Sequence, residues 1–441
     1  MSSEYPMSSQ HIPAVYSNDT RCAQRLPRLT AWVKVRMSSI SLPNANAHTA
    51  RSDSACGVCG PTEIISIQYL RALAALGVVV AHASTSLLDH DIALIPFRIG
   101  NAGVDLFFVI SGFIMYFTTA HRKVAASEFY LKRLIRIFPL YFCASTLAFL
   151  GACLAPHFVT RFSASPTDYI RSVLFIPYYC TTCQSAQDMN QLLRPEVGQG
   201  WTLNYEVFFY LVFGLCLFIP RCFRVHSLVI IFALLSGLGI LFRPVNPILR
   251  TYTDSLQVEF MFGVLLGWFL LWTAPTSLRK LGVAALIAGG ATSVIVQLFI
   301  PHILPRVLAC GLPAATVVGC ALWLERAGLI PRLPIFLLLG DASYSLYILH
   351  AFVLALLRRG WQRIFNVNLV STHVVFIVCS IVIAEMCGVV IFMYAERPVT
   401  LTLTEWLKSR RAAPVGSPSK SRWGIGRAAQ SRLSENASAE D

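Results

Sequence analysis

The chain is 441 residues long, with 55% hydrophobic and only 13% charged residues. Soluble globular chains carry about 25% charged residues, so this deficit, with repeated long apolar runs, excludes a large water-soluble domain and indicates a bilayer as solvent. The formal net charge of +14 sits at the ends of apolar runs and in two tails, with no recognition module beside it, which excludes nucleic-acid binding as the main role.

Residues 1–62 hold no sustained apolar run and are rich in Ser, Ala, Asn and Arg. They lack the apolar core and small-residue cleavage site of a secretory signal. The segment reads as a disordered basic tail or an over-long start, with Met37 the alternative start. Most of the 13 cysteines, such as Cys143, Cys216, Cys320 and Cys387, lie in or beside apolar runs, where cysteine behaves as a small hydrophobe. Cys56/Cys59 and Cys180/Cys183 form C-x-x-C pairs outside those runs. Neither has the second pair that a zinc site needs, and no metal is expected. Cys180 and Cys183 are spaced for a local disulfide if their loop faces an oxidising compartment.

Ten apolar stretches follow, near 67–88, 103–120, 138–155, 202–220, 226–243, 256–273, 281–300, 307–325, 335–357 and 371–395. Each is about long enough to cross roughly 30 Å of hydrocarbon. The expected fold is therefore all-α: a polytopic membrane protein with about ten transmembrane helices. Its membrane domain covers 63–400, and a disordered tail covers 401–441. Arg122, Lys123, Lys132, Arg133 and Arg136 join the second and third stretches, Arg221 and Arg224 the fourth and fifth, and Arg279 and Lys280 the sixth and seventh. Basic connections face the cytoplasm, so both termini do as well. Arg358, Arg359 and Arg363 fall on the opposite side and weaken that reading locally. The long outer connection, 156–200, carries Tyr178, Tyr179, the cysteine pair, Asp188, Arg194 and Glu196. A connection of that length is a candidate lid. No internal repeat is evident, which counts against transporters built from inverted repeats.

Ionisable residues inside a span are costly and mark function by default. In the first stretch Arg71 and His82 are eleven positions apart, close to three helical turns, so they share a face at depths that differ by roughly 16 Å. One is a fixed cation and the other a base that titrates near neutrality. The second stretch begins Gly103-Val104-Asp105 and continues to Ser111-Gly112. Asp105 lies at a depth comparable to His82 and is expected to orient it, since a carboxylate beside an imidazole raises its basicity. Ser111 and Gly112 let helices approach closely. Arg133 and Arg136 share a face, and arginine suits bidentate phosphate binding. In the fourth stretch Thr202, Glu206 and Tyr210 form a polar stripe, with Asn204 between them. Glu206 is expected to orient His82 or to bind or deprotonate a hydroxyl. In the ninth, Ser343, Tyr347 and His350 form a second stripe that lines a cavity or glues helices. Tyr394, Glu396, Arg397 and Pro398 read as an interfacial tyrosine, a local ion pair and a proline stop.

These motifs, in this order, resemble the acyltransferase-3 family of bacterial membrane acyltransferases. The resemblance rests on Arg71 with ten residues before His82, on Gly103 to Phe113, and on Arg133/Arg136 before Ile137-Phe138-Pro139. Trp201 to Glu206 and Gly340 to His350 extend it. Gln68-Tyr69-Leu70-Arg71-Ala72 and Asn204-Tyr205-Glu206 look most like the branch that modifies exopolysaccharide. The motifs spread over about 64–400. The resemblance implies transfer of an acyl group, often acetyl, from cytoplasmic acyl-CoA to a glycan hydroxyl at the outer face of the bacterial inner membrane. It maps the family's arginine–histidine motif onto Arg71 and His82, with the histidine catalytic, and its arginines after the second span onto Arg133 and Arg136. Many members carry two adjacent carboxylates in the fourth-span motif; here Glu206 is followed by Val207.

Together these readings predict His82, Glu206 and Asp105 as the catalytic set. Arg71, Arg133 and Arg136 are expected to hold acyl-CoA, the donor substrate, with no permanently bound cofactor. Ser111, Thr202, Asn204, Tyr210, Ser343, Tyr347 and His350 would line the cavity. Partners would be the glycan, the bilayer and polysaccharide synthesis proteins. A transporter or flippase, or a non-catalytic partner of a synthesis complex, is the alternative.

Overall fold

A computed structural model describes residues 64–86, 97–120, 123–156, 163–179, 193, 195–272, parts of 284–295, 305–365 and 370–412. Both expected tails up to 63 and beyond 412, the two C-x-x-C pairs, Asp188, Arg194, Arg279, Lys280 and most of the seventh apolar stretch lie outside the described residues. The described residues are helical, with no strand among them. The elements are α1 (Ile65–Ser84), α2 (Phe97–Ala120), α3 (Ala126–Leu154), α4 (Pro166–Val173), α5 (Gly200–Leu215), α6 (Arg221–Phe242), α7 (Pro247–Tyr252) and α8 (Gln257–Trp272). After a π turn at Val307–Gly311 come α9 (Leu312–Arg326), α10 (Pro334–Ile364) and α11 (Val370–Ile391). A second π turn, Phe392–Glu396, leads into α12 (Arg397–Ala412). Eight helices among the described residues are long and apolar enough to cross a membrane. The protein is an all-α, multi-pass membrane protein.

Helix α1 is the axis of the bundle, packed on α2, α10 and α11, while α2 packs in turn on α8 and α9. Small residues permit this closeness. A Cβ at Gly340 would overlap the backbone carbonyl of Gln68, and one at Gly112 would overlap that of Phe260. The first amides of α1 have no cap from Ile64. Glu325 of α9 supplies one instead, accepting from Ile65 N at 3.0 Å, Ser66 N at 2.9 Å and Ser66 Oγ at 2.6 Å. A carboxylate there satisfies orphan donors and meets the positive end of the helix dipole. Outward faces carry exposed leucine, isoleucine and phenylalanine, such as Leu234, Ile240 and Phe242 on α6, as lipid contact requires.

Two boundaries differ from expectation. α3 begins at Ala126, twelve residues before the expected start at 138, so Arg133 and Arg136 are helical residues rather than part of a connection. Apolar runs mark where a helix is dry, not where it begins. Pro398 does not stop the last helix, which continues to Ala412. The wider turn at Phe392–Glu396 precedes it, and a π turn adjusts the backbone bonds that a proline would break.

Candidate active site

The expected site residues fall into two groups on α1. The first surrounds Arg71. Arg71 Nη1 donates to Gln68 Oε1 at 3.1 Å, and Gln68 Nε2 donates to Asp341 Oδ1 at 2.8 Å. Arg136 forms an ion pair with Glu396, whose other oxygen accepts from Ser345 Oγ at 2.5 Å. Arg136 also lies 5.5 Å from the Tyr344 ring centroid. Arg133 lies against aromatic faces, 5.7 Å from Phe129 and 5.9 Å from Tyr210. Its Nε is buried with no hydrogen-bond partner among the described residues. Glu206 Oε1 accepts from Ser111 Oγ at 2.8 Å and from the Tyr210 hydroxyl. Arg71 is within Coulombic reach of Arg136, Asp341, Glu396 and Glu206, and Arg133 of Glu206 and Arg136. Two helices, α1 and α3, thus bring three guanidiniums together. Among the described residues only Arg136 of the three is in a direct ion pair.

The second group surrounds His82. Its Nδ1 lies 2.9 Å from the Val78 carbonyl oxygen. A carbonyl only accepts, so Nδ1 carries the hydrogen and the neutral ring presents Nε2 as the basic nitrogen. The His350 ring stands edge-on to it, with centroids 5.0 Å apart. His350 is fully buried; its Nε2 is 3.2 Å from Gln199 Nε2 and its Nδ1 3.3 Å from the Leu346 carbonyl. The Tyr347 hydroxyl is 2.9 Å from Thr202 Oγ1, which donates to the Gln199 carbonyl at 3.0 Å.

Two expectations are corrected. Asp105 does not reach His82: Arg306 holds it bidentately, Nε to Oδ1 at 3.0 Å and Nη2 to Oδ2 at 2.9 Å. Arg306 also lies 6.0 Å from the Trp201 ring centroid. Shared depth placed Asp105 beside His82, but its face of α2 turns toward the segment before α9. Glu206 likewise has Ser111 and Tyr210 as its hydrogen-bond partners, beside Arg133 and Arg71, rather than His82. Of the remaining cavity candidates, His350 adjoins His82, Tyr347 lies beside His350 and meets Thr202, while Ser343 and Asn204 are buried with an oxygen lacking a partner among the described residues.

Sequence reasoning missed Gln199, Arg306 and Glu396. Gln199 lies in a connection without periodicity, and Arg306 lies beside Pro305 at the mouth of a span. Glu396 read as the partner of its neighbour Arg397, but its partner is 260 positions away. Only its depth inside a hydrophobic helix signalled more.

The turn that presents Gln199 is braced by α3, through Tyr141, and by α4, through Ser172. Gly200 abuts the Tyr141 hydroxyl and the Pro195 ring, where a Cβ would overlap both. The Tyr141 hydroxyl is 2.9 Å from Ser172 Oγ, which accepts from Glu196 N at 3.2 Å. Glu196 Oε2 accepts from Ser163 N at 3.2 Å. Burial of Glu196 pushes its carboxyl up to about 7, with the nearby Asp168 charge adding to the rise against the Ser163 hydrogen bond.

Residues 64–390 match the family described as an acyltransferase domain. The chain is 32% identical over 305 residues to the exopolysaccharide production protein ExoZ of Rhizobium meliloti (strain 1021), covering 69% of this chain and 90% of that protein. It is 25% identical over 237 residues to the O-acetyltransferase OatA of Staphylococcus aureus (strain NCTC 8325 / PS 47), covering 50% of this chain and 36% of that protein. No solved structure matches the chain. The family match spans most of the chain and takes in both the arginine and the histidine groups: the protein belongs to the acyltransferase-3 family and is a membrane acyltransferase.

Proposed function

We propose that the protein moves an acyl group, acetyl on this reading, from cytoplasmic acyl-CoA to a hydroxyl of an exopolysaccharide or other cell-surface glycan at the outer face of the bacterial inner membrane. Both termini then face the cytoplasm. The observation that carries the reading is that one helix, α1, holds Arg71 in a cluster of three guanidiniums and His82, three turns on, with its tautomer set by the Val78 carbonyl. Arginines suit the phosphates of CoA. The rise of roughly 16 Å between the two levels is about the length of a pantetheine arm. The relatives named for exopolysaccharide production and O-acetyl transfer support a glycan acceptor.

In the proposed reaction His82 Nε2 takes the proton of the sugar hydroxyl as its oxygen attacks the thioester carbonyl. The C–S bond breaks, and the proton passes on to the leaving thiolate. The Arg71, Arg133 and Arg136 cluster positions the donor, and Glu206 with Ser111 and Tyr210 holds that cluster's geometry. The test is acetyl transfer from acetyl-CoA to glycan by protein reconstituted in vesicles, comparing wild type with His82→Ala. Loss of transfer in the variant is expected. An undiminished rate would sink the role of His82, and absence of transfer by wild type to any glycan would favour a transporter or a non-catalytic partner.

A further inference from the structure

We infer that Gln199 binds the acceptor, its Oε1 accepting a hydrogen bond from a sugar hydroxyl neighbouring the one that is acylated. The inference rests on the acyl-transfer reading above and deepens it by assigning an acceptor-binding residue.

The amide of Gln199 can be oriented without ambiguity by following a chain of partners from a backbone carbonyl. The Leu346 carbonyl accepts only, so the hydrogen of His350 lies on Nδ1, 3.3 Å away. His350 is fully buried, and a dry interior favours the neutral ring. Its Nε2 is therefore an acceptor, and the group facing it at 3.2 Å is the Gln199 amide NH2. The remaining atom, Oε1, is buried with no hydrogen-bond partner among the described residues, in a side chain only 7% exposed. The backbone of Gln199 is also held, by Thr202 Oγ1 at 3.0 Å. The side chain makes no cap bond to α5, so helix capping does not explain its position.

A buried acceptor without a donor costs about 1–3 kcal/mol and is kept where a ligand satisfies it. The ligand must supply a donor. An oxygen acceptor repels phosphate and carboxylate, and a neutral O–H fits it. His350 joins this oxygen to the His82 ring, 5.0 Å from its own. Gln199, His350 and His82 thus form one continuous run of polar groups, and a pyranose, with hydroxyls on successive carbons, can offer one to the base and another to Oε1.

The test uses full-length protein in vesicles with acetyl-CoA as donor. Acceptors are methyl β-D-glucopyranoside, methyl β-D-galactopyranoside and their monodeoxy analogues. In wild type, removing one particular hydroxyl should lower kcat/KM about ten-fold, as loss of a hydrogen bond does. Gln199→Met should lower the parent sugar to the level of that analogue and leave the analogue where it was, with the KM for acetyl-CoA changed less than two-fold. Equal losses for every sugar in Gln199→Met would mean a structural role and overturn the inference, as would a parent sugar unaffected by the substitution. Wild-type protein that acetylates none of these sugars but acetylates polymeric glycan would overturn recognition of a single sugar's hydroxyls while leaving the acyltransferase reading standing. No transfer to either would overturn both.

Discussion

His82 on α1 and His350 on α10 stand edge to face with ring centroids 5.0 Å apart, and each directs its Nδ1 at a backbone carbonyl of its own helix. The first residue is half-buried and the second fully buried. Two imidazoles with the same tautomer and different access have different tasks. The accessible one is suited to proton transfer, and the enclosed one to positioning.

His82→Gln should therefore reduce kcat for acyl transfer by about 10²–10⁴, the usual contribution of a general base. His350→Leu should act mainly on the acceptor, because it removes the partner that orients Gln199. Its expected signature is a raised acceptor KM with the KM for acetyl-CoA held, measured by initial rates over a matrix of both substrates.

Arg133→Ala and Arg71→Ala should weaken donor binding. Each removes a guanidinium that has no ion pair among the described residues, and a lost charge-assisted contact is worth about 1.5–3 kcal/mol. The expected result is a 10- to 100-fold rise in the KM for acetyl-CoA, read by steady-state kinetics. Arg133→Lys should recover only part of it, since an ammonium cannot reproduce the bidentate fork or lie flat between Phe129 and Tyr210.

Glu396→Ala should destabilise the bundle. Breaking a fully buried ion pair costs about 3–5 kcal/mol; the Arg136 side chain is 30% exposed, so about 2 kcal/mol is expected here. Arg136→Met combined with Glu396→Met should regain much of that stability without regaining donor affinity. Chemical denaturation in micelles, run beside the acetyl-CoA KM, separates the two effects.

Asp105→Asn tests the correction at α2. Because Asp105 holds Arg306 and not His82, the substitution removes the bidentate ionic partner of that guanidinium and should lower thermal stability. The acidic limb of the pH–rate profile, which reports protonation of the His82 base, should stay where it is. A shift of that limb would restore Asp105 as the orienting carboxylate of His82.

The turn before α5 should loosen as pH rises. Glu196 is held up to about 7 in the folded protein by burial, above the ordinary carboxylate value of about 4.3. The folded form therefore binds the proton more tightly than the unfolded chain. Glu196 costs nothing below about pH 4 and destabilises progressively from there to about pH 7. Amide protection of residues 196–199, after correction for the intrinsic base-catalysed rate, should fall over that interval, and Glu196→Gln should abolish the fall.

Much of this protein follows from local pattern alone. Apolar runs of spanning length dictate helices in lipid, because a bilayer offers the backbone no other way to satisfy its hydrogen bonds. The spacing of Arg71 and His82 places them on one helix face at different depths, and the order of motifs carries the family. What the pattern does not contain is rotation and neighbour. Asp105 and His82 have matching depths, yet helix packing turns Asp105 to Arg306. Glu206 is one turn inside its helix, yet it faces the arginines. Glu396 finds Arg136 across 260 positions, and Gln199, in a stretch with no periodicity, meets His350 because α5 enters the bundle beside α10. Depth is written in the chain by hydrophobicity, one residue at a time. Which polar groups meet at that depth depends on how the helices rotate to bring small residues into contact, and that is settled only when the whole bundle packs.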